Sequence, residues 1–581
     1  MKRGVTVATA ATVPEALPVS PGLRRVARPR ASQDDFVIGG LTALLILWLI
    51  ATIALPLGVL LIKSVQNAGG EFVGLANYAR YFATPALVRS LWNSLWISAL
   101  ATTIVIPLAF VYAYCLRRTA MRLKALFLSI ALLPIFAPSL LPAVSFIYIF
   151  GNQGFLKSWL MGQEIYGPIG IVLSQIFYCF PHALLILTTA LSLADQRLYE
   201  AAAAMGTSSW RTFFTVTLPS VRFGIISASF VIFTLVITDF GIAKVIGGQF
   251  SVLATDAYKQ VVGQHNFEMG AVVGFVLLVP ALLAFAVDRI VQRRQVALLS
   301  ASAVPLEPKP GVVADGLATL YCVVVGGLIA GVIGVAVWAS FITYWPYNLT
   351  LSLKNYNFSE SEAAGWAPYW NSITMSAIVA LLGTAIIFTG AYVVEKGRRF
   401  RAARGLIQLI AMMPMAVPGL VIGLAYVFFI NAPWNPFGFL YGTILVLAIN
   451  SIAHFYTVAH ITALTALKHI DPEFESVGAS LKVPVQTTFL RVTVPICMPT
   501  LLDIAVYLFV NAMTTVSAVI FLYGAHTKLA AISIVHMDEA GMSAAAAAMA
   551  TLVLLTALGV KLLHLVLDRF VFGGLQAWRK R

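Results

Sequence analysis

Apolar positions in this chain are gathered into long runs, with short polar stretches between them. Twelve such runs occur, near 39–63, 92–116, 125–150, 168–193, 222–246, 269–289, 315–342, 371–394, 405–430, 440–466, 499–523 and 543–567. At 1.5 Å of rise per residue, a helix of about 20 residues crosses the ~30 Å hydrocarbon layer of a bilayer. Lipid offers no partner to backbone N–H and C=O groups, so runs of this kind must be helices that satisfy them internally. The pattern predicts an all-α membrane protein with twelve transmembrane helices. Composition agrees: the 581 residues are 60% hydrophobic and 10% charged, whereas soluble domains carry about a quarter charged residues.

The polar punctuation repeats. Asn77-Tyr78 return as Asn355-Tyr356, and Trp92-Asn93-Ser94 as Trp370-Asn371-Ser372, at an offset of 278. "LLPIFAPSLL" (132–141) answers "MMPMAVPGLV" (412–421), and "LADQRLYEAAAAMG…FTVTLP" answers "HIDPEFESVGASLK…LRVTVP" at an offset of 276. The chain therefore reads as two six-helix halves, 36–292 and 314–581, joined by a linker at 293–313 that contains "AVPLEPKPG". An even number of spans per half makes the repeat parallel, which suggests a pathway on the shared pseudo-two-fold axis.

Charge sets the orientation. Of the 38 Lys and Arg residues, 29 lie in the two termini and in alternate loops, and six in the intervening loops. Positive charge marks the cytoplasmic side, so both termini and the loops at 195–219 and 471–495 are expected inside. The excess of basic residues is thus accounted for by topology and not by nucleic acid. Residues 1–35 lack an apolar core and read as a disordered cytoplasmic tail, not a signal peptide. Cys115, Cys179, Cys322 and Cys497 lie within or at the ends of apolar runs without metal-ligand spacing, as small buried hydrophobes do.

The stretch "YEAAAAMGTSSWRTFFTVTLP" (199–219) predicts a small elbow of two helices. Asp195 suits an N-cap, Leu198, Ala202 and Met205 share one face, and Gly206 suits the left-handed position that ends a helix. Ser208 or Ser209 can cap a second short helix carrying Trp210, Phe213 and Phe214, which ends as Pro219 opens the next span. An apolar ridge on the wet side of a membrane protein calls for a partner. In the second half Asp471-Pro472 open the matching helix, Phe474, Gly478 and Leu481 repeat the stripe, and Pro484 stops it.

Glu200-Ala201-Ala202, Gly206 and Val216-x-Leu218-Pro219 match the EAA pattern E-A-A-x3-G-x9-I-x-L-P, with Val for Ile. The segment resembles the coupling loop of permease subunits in binding-protein-dependent ABC importers. The resemblance spans both halves, as in the fused permeases for iron(III), thiamine and 2-aminoethylphosphonate. The loop at 250–274 is most similar to the 2-aminoethylphosphonate group, with iron(III), thiamine or a polyamine as alternative solutes. It implies a bacterial inner-membrane protein whose partners are two copies of an ABC ATPase, which bind ATP and Mg, and an extracytoplasmic solute-binding protein. The second copy departs from the pattern. With Pro495 aligned to Pro219, Ser476-Val477-Gly478 stand where the first half has Glu-Ala-Ala, Glu475 falls one place early, and Lys482 replaces the glycine. Unequal coupling by the two loops is the expectation.

Within the spans, Asp239 is the acid that points most to function, because a carboxylate in lipid is costly. Thr515 is its repeat mate, and Asn511, Thr514 and Ser517 could line the other wall; pairing of Asp239 with Lys244, or interhelical hydrogen bonds, is the plainer reading. Asn450, His454, His460 and Asp503 read as helix–helix contacts. Pro134, Pro138, Pro414 and Pro418 predict kinks in the third span of each half. No GxxxxGK[ST], GxSxG or HExxH pattern occurs, so the chain carries no nucleotide or hydrolase motif and reads as a transport subunit with no cofactor of its own. An ion-coupled secondary transporter is the reading from another class; a scaffold or channel would leave the paired elbows unexplained.

Overall fold

The computed structural model describes residues 33–298, 306–308, 310–397, 401–471 and 473–572. The tail expected over 1–35 lies outside these residues up to 32, as do Pro472 and residues 299–305 and 309 of the linker. Among the described residues, nine uninterrupted helices are long and apolar enough to cross a membrane, and three sharply bent pairs bring the number to twelve where each pair counts as one span. The linker is shorter than expected, because the sixth helix runs Phe267–Leu298 before the seventh opens at Val312. One short hairpin, Ile342–Tyr344 paired antiparallel with Asn348–Leu351, interrupts the all-α pattern outside the spans.

The repeated motifs turn out to be helix-end devices. The Asn77 amide donates to the carbonyls of Ser64 and Gln66, while the Tyr78 hydroxyl meets Ser64 Oγ at 2.8 Å. Asn355 and Tyr356 do the same to Ser340 and Ile342. The pair satisfies carbonyls left open where each half's first span stops. Asn93 and Ser94 hold the segment that follows the fifth span, through Ser251 O and Leu253 N–H. Asn371 and Ser372 hold the matching segment through His526 O, Lys528 O and Ala530 N–H.

The proline pairs break their spans outright instead of kinking them. Lys124–Phe136 meets Leu140–Phe150 at 100°, and Arg401–Ala416 meets Gly419–Ile430 at 115°. The cause is local: a residue before proline is pushed out of the helical region. Ala137, before Pro138, has ψ 143°, and Val417, before Pro418, has ψ 122°. The second piece of each pair is almost wholly buried and enters the junction between the halves. Leu140–Phe150 packs against the seventh and twelfth spans, and Gly419–Ile430 against the first and sixth.

The first span of each half therefore lies against the other half. Tyr426 donates to Thr52 O at 2.7 Å, and Tyr321 on the seventh span donates to Leu108 O at 2.9 Å. Cys115 of the second span and Cys322 of the seventh are both buried and lie close enough to interact. With a protease site inserted after residue 302, oxidation by copper phenanthroline is expected to keep both halves in one band on a non-reducing gel. Thiol reduction should separate them, and Cys322→Ser should abolish the link.

The fifth and eleventh spans end earlier than their apolar runs, at Thr238 and Thr514. Asp239 and Thr515 are the extended residues that close them, with ψ 128° and 136°. Each fifth-type span is also longer at the elbow end than expected. The second elbow helix does not stop at Pro219: Ser209–Thr238 is continuous through a π turn at Phe213–Thr217, whose wider i→i+5 spacing absorbs the proline's missing N–H. The second half has the same π turn at Phe489–Thr493, but there Val485–Ile496 and Met498–Thr514 bend by 76°. Pro499 stands just past that bend, where the first half has Phe223.

Candidate coupling elbows and membrane path

The first elbow helix is Gln196–Ala204, and its N-cap Asp195 accepts from Arg197 N–H at 3.1 Å. It ends in a Schellman turn: Thr207 N–H reaches Ala202 O, Gly206 N–H reaches Ala203 O, and Gly206 takes φ +66°. Ser208, not Ser209, caps the second helix. The second elbow repeats this. Asp471 accepts from Glu473 N–H at 2.9 Å, Val483 N–H reaches Gly478 O, and Lys482 N–H reaches Ala479 O. Lys482 takes φ +56°, a conformation that costs an L-residue roughly 1–2 kcal/mol. Lys482→Gly is expected to slow hydrogen exchange at the amides of 481–483 about fivefold, because ~1 kcal/mol of strain is removed.

Small residues hold each elbow shut. Ala202 is buried, so it belongs to the fold of the elbow and not to its exposed face. Gly478 occupies the matching place, and a Cβ there would stand 3.0 Å from Thr488 Oγ1. Phe213 also faces inward, against Phe110 and Tyr114 at 6.1 and 5.9 Å between ring centres. Phe489 makes the same contacts with Phe388 and Tyr392. What remains exposed is the ridge: Leu198, Met205, Trp210 and Phe214 on the first elbow, and Phe474, Val477, Leu481 and Leu490 on the second. Beside the second ridge lies a groove of about 520 Å³ floored by Gly478 and Thr488. Glu200 and Ala201 are exposed on the first elbow, as are Pro219, Ser476 and Pro495, while Leu218 is half-buried.

A basic residue at the end of each second span clamps the elbow, and this explains the displaced glutamate. Arg118 lies 4.9 Å over the Tyr199 ring and donates to Leu191 O. In the second half Lys396 stands for Arg118 and Glu475 for Tyr199; they form a 3.0 Å ion pair, and Lys396 also donates to Ile470 O. Glu475 is therefore a clamp residue. Glu200, by contrast, is exposed and accepts only from Gln196 Nε2 among the described bonds.

Deeper in the bundle, Asp239 does not pair with Lys244. Its carboxylate accepts from Gln175 Nε2 at 3.1 Å and Ile242 N–H at 2.9 Å, so it closes the fifth span and caps the short helix Gly241–Ile246. Gly241 packs on Ser139, and in the second half Gly419 packs on Ser517; in each pair the Cβ of the glycine would sit 2.8 Å from the serine oxygen. Asn511 and Thr514 bond carbonyls of their own helix, at Tyr507 and Val510. Thr515 is buried. Tyr178, which the sequence reading passed over, lies within electrostatic range of Asp239 on one wall and Tyr507 on the other. Asn450 bonds Ala518 O, Asp503 meets His564, and His454 and His460 lie tilted against the rings of Phe455 and Tyr456.

The far face, opposite the elbows, is closed across the halves. Lys244 pairs with Glu539 and lies 4.9 Å over the Tyr258 ring, which stacks on Phe521 at 6.0 Å. Nearby, burial of Glu362 is outweighed by hydrogen bonds from Lys528 and Ser533, which keep its carboxyl below the usual range. Asp538 is pushed up to about 6 by burial. Nothing in the sequence pattern pairs Lys244 with a glutamate 295 positions away.

The family described as "Binding-protein-dependent transport system inner membrane component" matches residues 105–296 and 387–573, once in each half. The chain is 27% identical over 526 residues to the ferric transport system permease protein FbpB of Actinobacillus pleuropneumoniae, covering 87% of this chain and 75% of that one. It is 26% identical over 515 residues to a putative ferric transport system permease protein of Haemophilus influenzae, covering 85% and 79%. A spermidine/putrescine permease protein, PotB of Haemophilus influenzae, is 27% identical over 262 residues, 42% of this chain and 91% of that one.

Proposed function

The chain belongs to the family of binding-protein-dependent transport system inner membrane components, and from that premise we propose that it is the fused permease of an importer driven through its two elbows. It is a multi-pass inner-membrane transport subunit, with the elbows and both termini in the cytoplasm. Two copies of an ATPase, holding ATP and Mg, seat on the elbows; a solute-binding protein delivers cargo to the far face. The observation that carries this is the paired ridge. Each elbow is folded on a small residue, anchored by an aromatic to the second span, clamped by a base, and left with large apolar side chains in water. Exposed apolar patches of this kind are interaction surfaces. Motion imposed on the first elbow passes along one continuous helix to Asp239, whereas the second elbow is separated from its span by a 76° bend. The two loops therefore transmit force unequally.

For the solute we favour iron(III). The relatives that align along both halves are named for ferric transport, while the polyamine and sulfate permease proteins align with about two fifths of the chain. The backbone of the loop at 250–274 that resembles 2-aminoethylphosphonate permeases is held by the Asn93 and Ser94 side chains, so this loop serves the frame as well as any cargo.

In proteoliposomes holding the chain, its ATPase and its binding protein, uptake of labelled solute should require ATP and the binding protein. Accumulation by the chain alone on an ion gradient would overturn the reading. Competition between ferric iron and 2-aminoethylphosphonate for the purified binding protein decides the cargo; preference for the phosphonate would reverse our assignment.

A further inference from the structure

The two elbows differ in how the second helix of each is capped. At the first, Ser208 Oγ of the elbow itself accepts from Arg211 N–H. At the second, the N-cap position is Pro484, whose side chain holds no acceptor. The acceptor comes from 451 residues away: Asp34 Oδ1, on the first turn of the first span, takes the Val485 N–H at 3.0 Å. Asp34 and Glu475 also lie close enough to act electrostatically on the Tyr392 hydroxyl, so the contact adjoins the Lys396–Glu475 clamp. One turn on, Ile38 lies beside Gly397, 3.5 Å from where a Cβ would stand.

We propose that Asp34 is a positioning residue for energy coupling: it supplies in trans the missing cap of the second elbow, so that this elbow moves as one body with the first span of the opposite half. The plainer role, an acid complementing its own helix dipole, is already filled by Asp35 in the same turn. It would also not place an oxygen on Val485. The seventh span makes an analogous reach with a different landing point: Asp315 Oδ1 accepts from Ala120 N–H, in the loop after the second span. Among the described residues, it is thus the second elbow that is tied to a membrane helix of the other half by a cap.

The proposal rests on the coupling reading above, and its test separates the two. In the full complex, Asp34→Ala is expected to speed hydrogen exchange at Val485 and Gln486 about fivefold. It should also raise the number of ATP molecules hydrolysed per solute imported by a similar factor, at unchanged membrane level. Asp34→Asn, which keeps a capping oxygen, should restore both. So should Pro484→Ser in the Asp34→Ala background, by returning the cap to the elbow. Unchanged exchange in Asp34→Ala, or failure of the asparagine and serine variants to rescue, overturns the proposal. If wild-type uptake proves independent of ATP, the coupling reading falls, while the exchange experiment still reports on the contact.

Discussion

Trp210→Ala is expected to cut ATP-driven uptake at least about tenfold while leaving the amount of folded permease in the membrane unchanged. The indole is 75% exposed, and within the chain it only rests against Phe213 and Phe214. An exposed side chain with no buried partner contributes within about 0.5 kcal/mol to folding. At an interface, however, a buried aromatic anchor costs roughly 2 kcal/mol or more when truncated, about thirtyfold in affinity. The loss should appear as weaker retention of the ATPase on purified permease and should be partly recovered by excess ATPase. The matching position of the second elbow is Gln486, and its ridge carries Leu490 where the first carries Phe214. Leu490→Ala should therefore cost several-fold less than Trp210→Ala. Equal losses would mean that the two elbows couple alike.

The double variant Lys244→Cys/Glu539→Cys is expected to lose uptake to near background when bridged by a short bis-methanethiosulfonate cross-linker and to recover it on reduction. Lys244 belongs to the first half and Glu539 to the second, and their ion pair joins the helices Gly241–Ile246 and Ala530–Glu539 across the far face. A covalent bond there would hold that face shut, so solute delivered from outside could not enter. ATP with vanadate, which should favour the state open to the binding protein, is expected to lower the yield of the cross-link. A cross-linked permease that still transports would remove Lys244 and Glu539 from any gate. The single variant Glu539→Gln should have a small effect, since the Glu539 side chain is 44% exposed and surface ion pairs contribute little.

Much of this was legible in the sequence because the relevant physics is local. Span length follows from lipid thickness, and the repeat shows as a constant offset. Gly206, Asp195 and Asp471 carry the signatures of helix ends, which depend on a few adjacent residues. Proline positions marked where the third spans bend but suggested kinks, not full breaks at 100° and 115°, since the rule about the residue before proline says where a helix stops and not where the chain goes next. Other features depend on distant partners. Phe213 and Trp210 look alike in the sequence, yet one meets Phe110 and Tyr114 and the other meets water. Glu475 looked like a misplaced motif residue until Lys396 was seen beside it. Asp239 read as a path residue or a partner of Lys244, and it is Gln175 and the Ile242 amide that hold it. The apolar run past Asp239 hid the end of the fifth span, because a segment folded back among other helices is as hydrophobic as one that crosses.

The placement of the first span has a consequence for how the protein is made. Thr52 and its partner Tyr426 are 374 residues apart, so at about 5–20 residues per second the ribosome needs roughly 20–75 s to deliver the second after the first. During that wait the opening helix must stay in the bilayer without its partners from the second half. It is the most apolar of the nine uninterrupted spans, and only a third of its most apolar stretch is covered by protein even when assembly is complete. A polar replacement on its lipid-facing side, such as Leu44→Asn or Leu47→Asn, would thus do its damage at birth, by loss of the helix from the membrane before those partners exist.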